Sequence, residues 1–252
     1  YNFSITAEDD ENQTTERAFN FIVLRPVFDY SVENSLLIGG DMNNFYRDFP
    51  ASGNRRLFTL STFFKITDSG QQILFQANDA DFPRAKLIMQ STGQIEFSEK
   101  VGGTWINGMR TDAIIKDLSA WYHLTFIFDS ENSVSTERVR IYVNGERKNL
   151  AYPDGVISQN LDTTMNSAVR HFFGVSGYMS NTIFVDGIAV NPTEFAEDYN
   201  GVWVPKEYTG SYGQNGFKLD FQEDSQGGIG LVPAASLDEY IKRDDNNTSW
   251  SS

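Results

Sequence analysis

Two stretches decide the fold: Trp121-Tyr122-His123-Leu124-Thr125-Phe126-Ile127-Phe128 and Arg138-Val139-Arg140-Ile141-Tyr142-Val143-Asn144-Gly145. In the first, Leu124, Phe126 and Phe128 share one face of an extended chain, and Trp121, His123 and Ile127 share the other. Alternate side chains of a strand point to opposite faces, so a segment apolar on both faces reads as a central strand covered on both sides. The second stretch alternates Val139, Ile141 and Val143 with Arg138, Arg140 and Tyr142. It ends in Asn144-Gly145, which tolerates positive φ at both turn positions and gives the strongest hairpin signal in the chain.

Outward from this centre the same period of two recurs. Phe58, Leu60, Thr62, Phe64 and Ile66 form one strand face, and Gln72–Gln76 makes a further strand. Leu87-Ile88-Met89 passes through Ser91-Thr92-Gly93 into Ile95 and Phe97. Phe172–Val175, Ile183–Gly187 and Phe217–Phe221 supply later strands. Helical signals are few: one turn at Pro192-Thr193-Glu194-Phe195, and a capping-box spacing at Ser236–Glu239 that predicts a short helix up to about Arg243. The fold class is therefore all-β, a two-sheet antiparallel sandwich.

The first 25 residues stand apart. Tyr1, Phe3, Ile5 and Ala7 alternate with polar residues, an acidic turn follows, and Arg17, Phe19, Phe21 and Val23 form a second strand. Two strands alone are marginal in water, so residues 1–25 read as the closing hairpin of a sandwich begun earlier in a longer chain. The alternative is a hairpin packed on the main domain. Arg25-Pro26 marks the junction, residues 26–225 form the main domain, and 226–252 a C-terminal appendage with a polar, mobile tail from Asp244.

Composition narrows the chemistry. The 252 residues carry 20 Lys+Arg against 34 Asp+Glu, a net charge of −14, with no cysteine and two histidines. Thiolate metal sites, disulfides and cysteine nucleophiles are excluded, and two histidines are too few for a multi-histidine metal site. A pI near 4.5 argues against nucleic acid as partner, and no apolar run is long enough for a helical membrane span.

Leu118–Leu124, Phe128-Asp129 and Arg138–Gly145 together resemble the concanavalin A-like (laminin G-like) lectin/glucanase superfamily, in which a W-Y-H strand precedes an acidic loop and a V-N-G hairpin. Asn54-Arg55-Arg56, Phe184–Gly187 and Asn191–Phe195 fit the same pattern. The stretch Gly201–Phe217, with Trp203 and Tyr208, is similar to lectin-like domains in virion proteins of tailed phages, marine and cyanobacterial ones in particular. The resemblance spans roughly Val27 to Ser225 and implies a jelly-roll sandwich. It makes Trp121, His123, Asn144, Gly145, Trp203 and Tyr208 structural motif residues, with Trp203 in a core or interface. Residues 1–25 resemble the closing strands of an immunoglobulin-like module. The expected setting is a virion surface, with other virion proteins, further copies of the chain and host surface polysaccharide as partners.

Glucanase activity in this superfamily needs an E-x-D-x-E strand that sets two carboxylates about 5–5.5 Å apart. No such strand is present: Glu96 and Glu99 lie three apart, so a regular strand sends them to opposite faces. There is no G-x-S-x-G elbow, and His123 reads as a core histidine. The reading is non-catalytic. Calcium is a candidate structural ion, because many lectin-like sandwiches bind it through loop oxygens; Asp79, Asp81 and Asp129 are the candidate ligands, against the plain reading of solvated loops. Glycan contact needs an exposed ring with hydrogen-bonding neighbours. Trp105 with Asn107, in a Gly-rich connection, leads that set, followed by Tyr178 and Tyr46. Trp105 reads equally as a cap on a hydrophobic edge or as a contact with a neighbouring subunit.

Overall fold

The computed structural model describes residues 2–8, 13–20, 30, 32, 34–38, 45–79, 82–223, 229–231 and 242–243. It divides into two compact units, Tyr1–Ser31 and Val32–Ser252. In the first, β1 (Asn2–Glu8) pairs antiparallel with β2 (Thr14–Asn20), as the alternation predicts.

The second unit opens with β3 (Leu36–Ile38) and β4 (Phe45–Asp48), then the long β5 (Leu57–Ile66). A run of hairpins follows: β6 (Gln72–Asp79), β7 (Phe82–Met89), β8 (Ile95–Val101) and β9 (Thr104–Thr111). Next come β10 (Tyr122–Asp129), β11 (Val139–Val143), β12 (Glu146–Arg147) and β13 (Leu150–Ala151). Then follow β14 (Arg170–Phe173), β15 (Gly177–Asp186), β16 (Ala196–Tyr199) and β17 (Val202–Pro205). β18 (Phe217–Glu223), β19 (Ile229–Leu231) and β20 (Lys242–Arg243) close the chain. Among the described residues the helical segments are two single 3-10 turns, Ser135–Glu137 and Pro192–Glu194.

Two eight-stranded antiparallel sheets carry the core. Sheet one runs β12-β11-β10-β5-β15-β18-β19, with β3 added to β15; sheet two runs β13-β9-β8-β7-β6-β14-β4-β20. The facing sides are filled by phenylalanine: Phe58, Phe64, Phe126, Phe128 and Phe184 from sheet one meet Phe75 and Phe97 from sheet two. Ring centroids 5.2 Å apart at Phe97–Phe126 and 5.6 Å at Phe75–Phe184 join the two layers. Full burial of each such ring stabilises the fold by about 2–3 kcal/mol.

β10 is paired on both sides, by β11 and β5, and is buried on both faces. Leu124, Phe126 and Phe128 enter the main core, while His123 and Ile127 are buried on the outer face. Trp121 departs from the expected pattern. It stands just before the strand and is 42% exposed, because the ladder with β5 begins at Tyr122. The Asn144-Gly145 turn forms as predicted, with φ of 50° and 76°.

Part of the outer face of sheet one is buried by its own chain. The hairpin β16–β17 and the loop after it lay a small second core over β15, where Ile183 and Val185 meet Val190, Phe195 and Tyr208. Most of the helix expected from Ser236, and the tail from Asp244, lie outside the described residues. Where the helix was to end, Lys242–Arg243 is instead extended and pairs with Tyr46 and Phe45 of β4, since open backbone groups on an edge strand accept a further strand.

Candidate functional site

Next to this second core, a cleft of about 320 Å³ opens on the outer face of sheet one. Its walls are Trp121, Trp203, Phe63 and Pro205, with Ser180, Asn34 and Ser35 supplying polar groups. Each wall has a local reason for its position. Phe63 is an odd-numbered residue of β5 and so points away from the main core, to which Phe58, Leu60 and Phe64 belong. It stacks on His123 at 4.5 Å. Trp203 rides on β17, opposite Asp198 of β16, and its indole N–H donates to Nδ1 of His123 at 2.8 Å. Gly145 makes room for it: a Cβ there would lie 2.4 Å from Cη2 of Trp203. Asn144 completes the arrangement by accepting the His123 N–H on Oδ1 and donating its own N–H to the His123 carbonyl, both at 2.8 Å.

The motif residues Trp121, His123, Asn144, Gly145 and Trp203 therefore converge on one place. Trp203, expected in a core or interface, is half-buried as a cleft wall. Tyr208 is buried within its own chain, 5.0 Å from the Phe195 ring, with its hydroxyl donating to the Ser211 carbonyl at 2.9 Å.

Ser61 and His123 lie 2.8 Å apart through Oγ and Nε2, a contact that looks like a nucleophile and its base. The hydrogen bonds rule that out. Indole nitrogen only donates, so Nδ1 of a neutral His123 must accept and Nε2 must carry the proton, which it donates to Ser61. Burial pushes the imidazole down to about 3, so the ring stays neutral and has no lone pair free for the serine proton. Both residues are inaccessible.

The two glutamates of β8 are likewise kept apart. Glu96 and Glu99 point to opposite faces as the spacing predicts. Glu96 is held on the outer face of sheet two by Ser98 at 2.8 Å, Gln90 at 2.9 Å and Arg110 at 3.4 Å. Glu99 turns inward to Thr163 and to the Thr164 N–H and hydroxyl, both at 3.1 Å. Burial outweighs these hydrogen bonds and raises its carboxyl to about 7.

The sequence-derived candidates divide between surfaces. Tyr178 belongs to the cleft neighbourhood, its ring 6.2 Å from Trp121. Trp105 and Tyr46 lie on the outer face of the other sheet, Trp105 half-buried under the Lys86 ammonium at 5.0 Å and Tyr46 under the Arg170 guanidinium at 3.9 Å. Asn107 belongs to β9, and its side chain lies outside the described residues. Of the calcium candidates, Asp129 is engaged by Arg140 at 3.1 Å. The Asp79 side chain and Asp81 lie outside the described residues. Among the described residues no group of three or more His, Cys, Asp or Glu could hold a metal ion, and no helix is long and apolar enough to cross a membrane.

Sequence reasoning missed the buried network around Asp186. Its Oδ1 accepts from the Asn54 N–H at 2.8 Å and from Asn166 at 2.6 Å, and its Oδ2 accepts from the Asn215 N–H at 3.1 Å. Gly53 permits this close approach, since a Cβ there would sit 2.2 Å from Oδ2.

An aromatic cleft on a two-sheet antiparallel sandwich defines the class as a lectin-like β-sandwich. The sequence matches the family model described as the concanavalin A-like lectin/glucanases superfamily over residues 41–166, half of the chain, and the protein belongs to that superfamily. No curated protein matches the sequence. Among solved structures it is similar to domain 4 of AbnA, a GH43 extracellular arabinanase from Geobacillus stearothermophilus, in complex with arabinotriose. That likeness has 15% identity and a TM-score of 0.43 over 76% of this chain and 78% of that one. It is also similar to the heptameric SAP-like pentraxin from Limulus polyphemus, at 14% identity and a TM-score of 0.42 over 62% and 76%. Mouse laminin α1 chain domains LG4-5 give 12% identity and a TM-score of 0.41 over 60% and 40%.

Proposed function

We propose that this chain is a non-catalytic, lectin-like contact module that takes a glycan in the cleft between Trp121 and Trp203. The observation that carries the reading is the cleft's chemistry. Indole, phenyl and proline faces offer apolar surface to the C–H face of a sugar, while Ser180, Asn34 and Ser35 offer hydrogen bonds to its hydroxyls. Trp121, 42% exposed beside the half-buried Tyr178, is the ring best placed to stack. The neutral, proton-donating His123 and the separated carboxylates support binding without hydrolysis.

A second reading has contact with neighbouring chains rather than glycans. Exposed Leu37 stands opposite Tyr178 in the β3–β15 register, so apolar surface extends from the cleft neighbourhood along β3. The setting on a tailed-phage virion surface, with host polysaccharide and virion subunits as partners, rests on the resemblance of Gly201–Phe217. An array of neutral glycans probed with the chain and with Trp121→Ala tests the proposal. Binding by the first and not the second is expected, with no reducing sugar released from any bound polysaccharide. Equal binding by both would exclude the cleft.

A further inference from the structure

The outer face of sheet two carries a separate row of side chains. Ser98, Lys86, Gln76, Phe172 and Tyr46 stand directly opposite one another across β8, β7, β6, β14 and β4. Four strand spacings make this row about 19 Å long. Aromatic rings cap it at both ends. At one, the Tyr46 ring lies 6.0 Å from Phe172 beneath the Arg170 guanidinium. At the other, Trp105 lies under the Lys86 ammonium and directly opposite Lys100 in the β8–β9 register.

The charge at the Trp105 end runs against that of the molecule. The chain as a whole carries −14, yet Lys86 lies over the Trp105 indole, Lys100 stands opposite Trp105 in the strand register, and neither has an ion pair with a carboxylate among the described residues. Arg170 is balanced by Asp48 at 2.9 Å. Two ammonium groups close to one ring, with the half-buried Tyr46 ring at the far end of the row, match an anionic chain of sugars.

We propose that the Lys86–Trp105–Lys100 corner binds an anionic polysaccharide that runs toward Tyr46 over the buried Ser98, Gln76 and Phe172. The indole stacks on a sugar ring while the two ammonium groups meet its carboxylate or sulfate groups. This site is separate from the Trp121–Trp203 cleft, which lies on the other sheet.

The test is affinity electrophoresis of the chain in gels containing alginate, dextran sulfate or unmodified dextran, with a thymidine oligonucleotide as a non-sugar polyanion. Retardation by alginate or dextran sulfate, weakened by added salt and absent with dextran, is expected; which of the two retards it identifies carboxylate or sulfate as the anion. Trp105→Ala, and the double variant Lys86→Gln with Lys100→Gln, should each weaken binding roughly tenfold or more, while Lys116→Gln, at an exposed lysine outside the row, leaves it unchanged. All these side chains are at the surface, so an unaltered circular dichroism spectrum confirms that the variants are folded. Failure of both anionic polysaccharides, equal retardation by dextran, oligonucleotide binding as tight as polysaccharide binding, or indifference to the lysine variants would each overturn the proposal. A loss in Lys116→Gln as large as in the lysine pair would reduce the effect to overall charge and overturn the proposal.

Discussion

Trp203 donates its indole N–H to Nδ1 of His123 at 2.8 Å, joining two segments 80 residues apart. That bond fixes the histidine tautomer, orients the second wall of the cleft and turns Ser61 from an apparent nucleophile into a hydrogen-bond acceptor. The Asn144-Gly145 turn holds it in place, since Asn144 grips both backbone groups of His123 and Gly145 lies against the indole.

Gly145→Ala tests this packing. Its φ of 76° disfavours a side chain, and the new methyl would meet Trp203. We expect a loss of about 1–3 kcal/mol in chemical denaturation, together with weakened glycan binding from a displaced Trp203. An unchanged midpoint would show that the indole is free to move.

Stability should peak near pH 6.5. Burial lowers His123 and His171 from 6.5 to about 3, so as pH falls below 6.5 the unfolded chain takes up protons that the folded chain refuses, and stability is lost. Glu99 acts in the opposite sense. Its carboxyl is raised from 4.5 to about 7, so the unfolded chain releases a proton first and stability declines as pH rises through that window. Two histidines outweigh one carboxyl below 6.5, and Glu99 acts alone just above it. Thermal melts from pH 4 to 9 check the shape.

Glu99→Gln isolates the carboxyl. The amide keeps an acceptor for Thr163 and Thr164 without a charge to bury, so the variant should gain on the order of 3 kcal/mol at pH 8 and nothing at pH 4. A variant less stable than the parent at pH 8 would mean that the ionised carboxylate is well solvated where it lies.

Asp186→Asn places an amide donor among three donors: the N–H groups of Asn54 and Asn215 and the side-chain amide of Asn166. A buried donor left without an acceptor is costly, and the expected loss is about 2–4 kcal/mol in urea. A neutral result would show that water replaces the missing acceptor.

Periodicity made the sheets legible, because β5, β10 and β11 each alternate between a packed core and an outer face. It misplaced Trp121, since alternation does not record where a ladder begins. Trp203 was recognisable only as a motif residue. Its partner His123 is distant in sequence, and nothing local announces a hairpin laid over a sheet. The Asp186 network draws on Asn54, Asn166 and Asn215, three loop asparagines that no spacing rule connects. Trp105 was found through its Gly-rich turn, but Lys86 came into view only with the strand register.

The central claim is that a sugar occupies the Trp121–Trp203 cleft. The most direct measurement follows the tryptophan indole N–H resonances of ¹⁵N-labelled protein while a neutral glycan that binds is added. The account predicts a saturable shift of the Trp121 resonance with Trp105 unmoved. A shift confined to Trp105, with Trp121 stationary, would contradict it.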